Sequence, residues 1–145
     1  MANFNNPNGF RPISFPARTN VYKCSATVTK GDALAIASGE VLPFASASHT
    51  AVIGVAAESG AATDSIQVYD DLTTEFEAQT SGTFALSQIG GSYDIEGATG
   101  VMQVNEDDAS PGICVILAHY PLPGSEDVGN NARVKVVLGG HATVA

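Results

Sequence analysis

The apolar residues of this 145-residue chain come in short runs, and a turn signal closes each run within a few residues. VYKCSATVT, ALAIA, VLPF, AVIGVAAE, SIQVY, TEFEAQ, SYDIE, VMQV, ICVILAHY and RVKVVLG succeed one another between links carrying Gly, Ser, Asn or Pro. β-Branched residues are frequent in these runs, and no run keeps the 3.6-residue apolar repeat that a three-turn amphipathic helix requires. Strands this short at this spacing bury their inner faces as sandwiches or barrels. The pattern predicts an all-β fold, a small β-barrel or sandwich of about ten short strands. A chain of this length is expected to form one domain with a real core.

Individual runs carry finer expectations. ALAIA-SGE-VLPF reads as a hairpin with a Gly-containing connection. AVIGVAAE suits a strand buried on both faces, and Gly54 within it marks a bulge or a close backbone approach. In TEFEAQ the alternation turns Phe76 and Ala78 to the core and Glu75, Glu77 and Gln79 to water. FALSQIGG reads as one helical turn closed by Gly90. In RVKVVLG, Val134 and Val136 share one face, and Arg133 and Lys135 lie on a solvent-side or interface face.

Residues 1–20 differ from the rest. Asparagine occupies positions 3, 5, 6 and 8, prolines stand at 7, 12 and 16, and no periodicity is present. Each proline removes an amide donor and biases the preceding residue toward extended backbone. The segment is read as an extended N-terminal arm on a single β-barrel-like domain spanning 21–145. Three of the six phenylalanines lie near or within it, at 4, 10 and 15, where no local core can cover them. They require a surface on this body or on a neighbour. With their polar neighbours they form the candidate contact set: Phe4, Phe10, Arg11, Ile13, Phe15 and Arg18. Arg and Phe are favoured anchors in protein docking. Removing residues 1–20 is expected to leave a folded body that no longer docks.

Charge divides the same way. Arg11, Arg18, Lys23 and Lys30 precede the first acid, all fifteen acids fall between Asp32 and Asp127, and Arg133 and Lys135 follow. A net charge of −9 argues against a nucleic-acid partner, because phosphate contacts need clustered cations. No run of about 18 apolar residues is present, so no membrane partner or spanning helix is expected. The opening residues also lack the cationic patch and apolar run of a secretory leader.

Nothing in the chain is spaced for chemistry. G-x-S-x-G, H-E-x-x-H and the phosphate-binding loop are absent, so the protein is not expected to be an enzyme. Cys24 and Cys114 read as buried free thiols, and no Cys/His spacing calls for zinc. The acids at 70, 71, 75 and 77 and at 106–108 lack calcium-loop spacing and read as turn and surface residues. His49, His119 and His141 share no ligand spacing. No cofactor and no metal are expected.

Three blocks, NPNGFRPI, VYDDLTTEFEAQ and GNNARVKVVLGGH, occur in an order and spacing that cover nearly the whole chain. On them the chain resembles a family of small structural proteins of tailed bacteriophages and prophages, similar to capsid decoration or cement proteins. The resemblance implies a virion protein on the outer capsid surface, assembled in the host cytoplasm and bound non-catalytically to the major capsid protein. It also implies self-association, with a homotrimer as the expected form. The alternative is a head- or tail-surface module that recognises host glycans.

Overall fold

The computed structural model describes residues 3, 5–71, 73–110, 112–121 and 128–138. Within them the fold is all-β. The strands in chain order are β1 (Arg11–Pro12), β2 (Asn20–Lys23), β3 (Ala33–Ala37), β4 (Glu40–Pro43), β5 (Gly54–Ala56), β6 (Ser65–Tyr69) and β7 (Phe76–Gln79). They continue with β8 (Thr83–Phe84), β9 (Ser92–Glu96), β10 (Gln103–Asn105), β11 (Cys114–His119), β12 (Gly129–Asn130) and β13 (Arg133–Leu138). The helical turn expected near Gly90 is a single 3-10 turn, Leu86–Gln88, and Gly90 follows it at φ +92°.

Every ladder between these strands is antiparallel. One sheet has six strands in the order β1-β7-β13-β11-β9-β10, a second has five in the order β2-β6-β5-β3-β4, and β8 pairs with β12 alone. Both larger sheets curl until their ends touch. Thr80 meets Val104 in one, and Cys24 meets Val41 in the other, each through a single parallel bridge. No continuous ladder closes either sheet, so the fold is sandwich-like and a closed barrel is not shown.

The period-2 alternation of β3 and β5 explains how the sheets pack. Ala33 and Val55 point into a large cluster that also holds Phe10, Phe44, Phe76, Phe84, Ile116 and Val136. Leu34 and Ala56 point the other way, into a smaller cluster with Cys24, Val28, Val41, Ile66 and Val68. These strands are therefore buried on both faces, as the uninterrupted apolar run of β5 requires. Gly54 sits where a Cβ would overlap the backbone of Tyr69, with that residue's carbonyl carbon at 2.9 Å. The hairpin between β3 and β4 turns through Ser38 and Gly39, both at positive φ, as a tight two-residue turn demands.

The N-terminal segment is built into this body. Gly9 N–H donates to Met102 O at 3.1 Å, Phe10 N–H to Gly31 O at 2.8 Å, and Ile13 N–H to Glu75 O at 2.8 Å. Arg11 and Pro12 extend the six-stranded sheet beyond β7. The ring of Phe10, 3% exposed, meets Phe76 edge-on with centroids 6.5 Å apart. An arm separate from the body is not what forms from residue 5 to residue 13. The prolines do keep it extended, and that geometry lets it lie along β7.

This packing also corrects the reading of β7. Phe76 and Ala78 face the core, but the opposite face is covered too, and Glu77 and Gln79 are buried. Arg133 is buried beside them and does not face solvent.

Candidate docking surface

The asparagines of the opening stretch explain how that covered face is tolerated. Buried amide and guanidinium groups need partners, and leaving one unmet costs about 1–3 kcal/mol. Gln79, 1% exposed, accepts from Asn6 N–H at 2.7 Å and donates to Asn5 Oδ1 at 3.0 Å and Gln103 Oε1 at 3.1 Å. Arg133 donates to Asn6 O at 3.2 Å and Asn8 Oδ1 at 3.5 Å. Asn3 reaches β12, donating to Asn130 O at 3.0 Å. Asn5, Asn6 and Asn8 thus form a polar layer over β7 and β13.

Arg11 stands directly across from Glu77 in the β1–β7 register, and its Nη2 donates to Glu77 Oε1 at 2.7 Å. Glu77 is buried, and its Oε2 has no hydrogen-bond partner among the described residues. Arg11 therefore neutralises a carboxylate that the interior could not otherwise hold. Its role is structural even though its own side chain is largely exposed.

Beyond β1 the surface opens into a groove of about 470 Å3. Pro12, Ile13, Phe15, Tyr69 and Tyr120 supply apolar lining, and Arg11 and Lys30 supply positive charge. A smaller recess of about 190 Å3 continues from it past Gly31 and Ala56. On the other flank of Phe15 lies a polar hollow with Ser14, Arg18, Asp71 and Thr73.

The sequence-derived contact set divides accordingly. Phe4 lies outside the described residues. Phe10 is core and presents no ring to a partner. Arg11 is tied to Glu77, and Ile13 is half-buried at the groove. Phe15, 79% exposed, and Arg18 face outward. Four groove residues escaped the sequence reading as contacts: Pro12, Lys30, Tyr69 and Tyr120. Tyr69 and Tyr120, 51 residues apart in the chain, line one groove. Lys30 belonged to the basic leading segment, which was its only signal. Tyr120 gave none, because its neighbourhood with Phe15 depends on the sheet order in which β7 and β13 lie between β1 and β11.

The acids are mostly committed to loops. Asp32, fully buried, accepts from Thr29 N–H at 2.9 Å, from Gly100 N–H at 2.7 Å and from the Thr99 hydroxyl. Asp94 accepts from Ile95 N–H at 2.8 Å and from the Ser46 hydroxyl. Glu106 accepts from Gly82 N–H at 2.6 Å, and burial pushes its carboxyl above the ordinary range despite that bond. Asp71 accepts from Thr73 N–H at 2.9 Å and from its hydroxyl at 2.7 Å, which hold its carboxyl below the ordinary range. These carboxylates staple loops to backbone and hydroxyl donors.

His49 Nδ1 accepts from Ala45 N–H at 3.0 Å and the ring lies against Phe44, a loop brace. His119 ends β11, and His141 lies outside the described residues. Both cysteines are free and buried, one in each core cluster. Among the described residues no group of three or more His, Cys, Asp or Glu is placed to hold a metal ion. No helix among them is long and apolar enough to cross a membrane.

No protein-family model matches this chain, and no curated protein matches it significantly.

Proposed function

We propose that this chain is a virion structural protein of a tailed phage or prophage, a decoration or cement protein that binds the outer head surface. On this reading a β-barrel-like, acidic body is held on the shell by protein contacts with the major capsid protein and by self-association as a homotrimer. The three sequence blocks that resemble head-region structural proteins support it. The observation that carries it is Phe15, whose ring stands 79% exposed beside cations on an otherwise acidic molecule. An exposed aromatic of this size is the kind of anchor a protein interface buries. Repetition on a lattice multiplies such a contact without a new type of interaction. The test compares heads with and without the chain during heating. Heads carrying it are expected to retain DNA to a higher temperature, and equal release would sink the cementing role.

A second reading rests on the hollow beside Phe15. An exposed ring next to Ser14, Arg18, Asp71 and Thr73 is also an arrangement that sugars use, stacking on the ring and bonding the polar rim. A host-glycan array separates the two, because a decoration protein is expected to give no hits there.

A further inference from the structure

The groove beside β1 has a chemistry that narrows what can occupy it. Lys23 pairs with Glu40, Lys135 with Glu75 and Arg11 with Glu77, and Arg133 is buried. Among the described residues, Lys30, which lines the groove, and Arg18, beyond Phe15, have no ion pair. A cation left unpaired beside exposed apolar surface on an acidic molecule is an attractor for carboxylates from elsewhere.

The backbone at this edge rules out strand addition. Ile13 N–H points at Glu75 O, so position 12 directs its backbone away from β7, toward the free edge. Proline there has no N–H, and the N–H of Phe10 is already spent on Gly31 O. The edge offers no donor to an incoming strand. Docking must work through side chains.

We propose that this groove docks an extended acidic segment of a partner protein. An apolar side chain of that segment seats against Ile13, Phe15 and Tyr120, and its carboxylates meet Lys30 and Arg11. The inference rests on the head-surface reading above, with the capsid shell as the source of the segment. A phosphate chain is the wrong anion, since it needs a run of clustered cations and the groove supplies two, enough for one or two carboxylates beside an apolar side chain.

The test uses the full chain and empty heads of the phage or prophage that encodes it, in a co-sedimentation titration. Lys30→Glu and Phe15→Ser alter exposed side chains, so both variants are expected to keep the wild-type unfolding midpoint. Arg11 is avoided because its loss strands Glu77. Lys23→Glu, a cation that does not line the groove, is the control.

Each groove variant is expected to weaken head binding by about tenfold or more, and the control by less than about twofold. Wild-type binding is expected to fall as salt rises from about 50 mM to about 500 mM. If the wild type binds and both groove variants bind equally well, the groove inference is overturned and the head-surface reading stands. If the wild type does not bind, the reading falls and takes the inference with it. If the groove variants change the oligomeric state in sedimentation velocity but not head binding, the occupant is a second copy and the proposal is wrong.

Discussion

Gly9 and Gly31 meet backbone to backbone where the N-terminal segment crosses the turn ahead of β3. A Cβ on Gly9 would lie 2.7 Å from the Gly31 carbonyl carbon and 3.1 Å from its Cα, and Gly9 itself sits at φ +79°. Gly39 has the same φ but open space around it. The pair separates two causes of strain. Gly39→Ala is expected to lose about 1–2 kcal/mol, the left-handed penalty alone. Gly9→Ala adds overlap with backbone that cannot move without breaking the Phe10–Gly31 hydrogen bond, and its loss is expected to exceed about 3 kcal/mol. Urea unfolding of the two variants measures both. Equal losses would mean the crossing is looser than the structure shows.

Because residues 5–13 complete the six-stranded sheet, removing residues 1–20 is expected to abolish cooperative unfolding. It would not leave a folded body. The deletion takes Phe10 from the core, worth about 1.5–3 kcal/mol of burial, against a total stability of about 5–15 kcal/mol. It also leaves Arg133 and Glu77 without their partners and Gln79 with Gln103 alone. A milder probe is Gln79→Ala, which is expected to cost about 1–3 kcal/mol by freeing buried partners. A deletion product with a sharp thermal transition would contradict the sheet assignment of β1.

Tyr22 donates its phenol to Asp70 Oδ2 at 2.6 Å. Burial, then that bond and the carboxylate charge, raise its pKa from 10 to about 12. The neutral phenol is the form the fold favours, so its contribution to stability is present below pH 10 and is lost as pH rises through about 12. Absorbance at 295 nm should show a late tyrosine step. In Asp70→Asn the step should move only partway toward 10, because burial, the largest cause, remains. An unmoved step would show that Asp70 plays no part.

Neither thiol should react in the native state. Burial raises Cys114 to about 12, with the Asp94 charge adding to it, and raises Cys24, with Asp64 and Glu58 adding. The thiolate is the reacting form, and both groups are shielded from reagent as well. Ellman's reagent is expected to find no fast thiol at neutral pH and two after denaturation. One fast native thiol would show that the core cluster containing it opens.

Ten of the strands were legible as short apolar runs, because alternation and turn residues act within a few residues of chain. β1, β8 and β12 were not. Each is two residues long, and each exists only because a remote partner, Phe76–Glu77 for β1 and β8 for β12, supplies the other half of the ladder. The same cause misplaced Glu77, Gln79 and Arg133. Alternation put them on the face opposite the core, which was right, but it could not say that Asn5, Asn6 and Asn8 would cover that face.

The amino-acid sequence by itself determined the all-β class, the inward residues of most strands, the turns at Ser38–Gly39 and Gly90, and the separation of a basic start from an acidic body. These follow from local sterics, side-chain alternation and charge. Only the tertiary structure decided that Phe10 is core while Phe15 stays outside, that Arg11 neutralises Glu77, and that Lys30, Tyr69 and Tyr120 join one groove. Those outcomes depend on which distant strands pack together, and side-chain pattern along one segment carries no record of the surface it will meet.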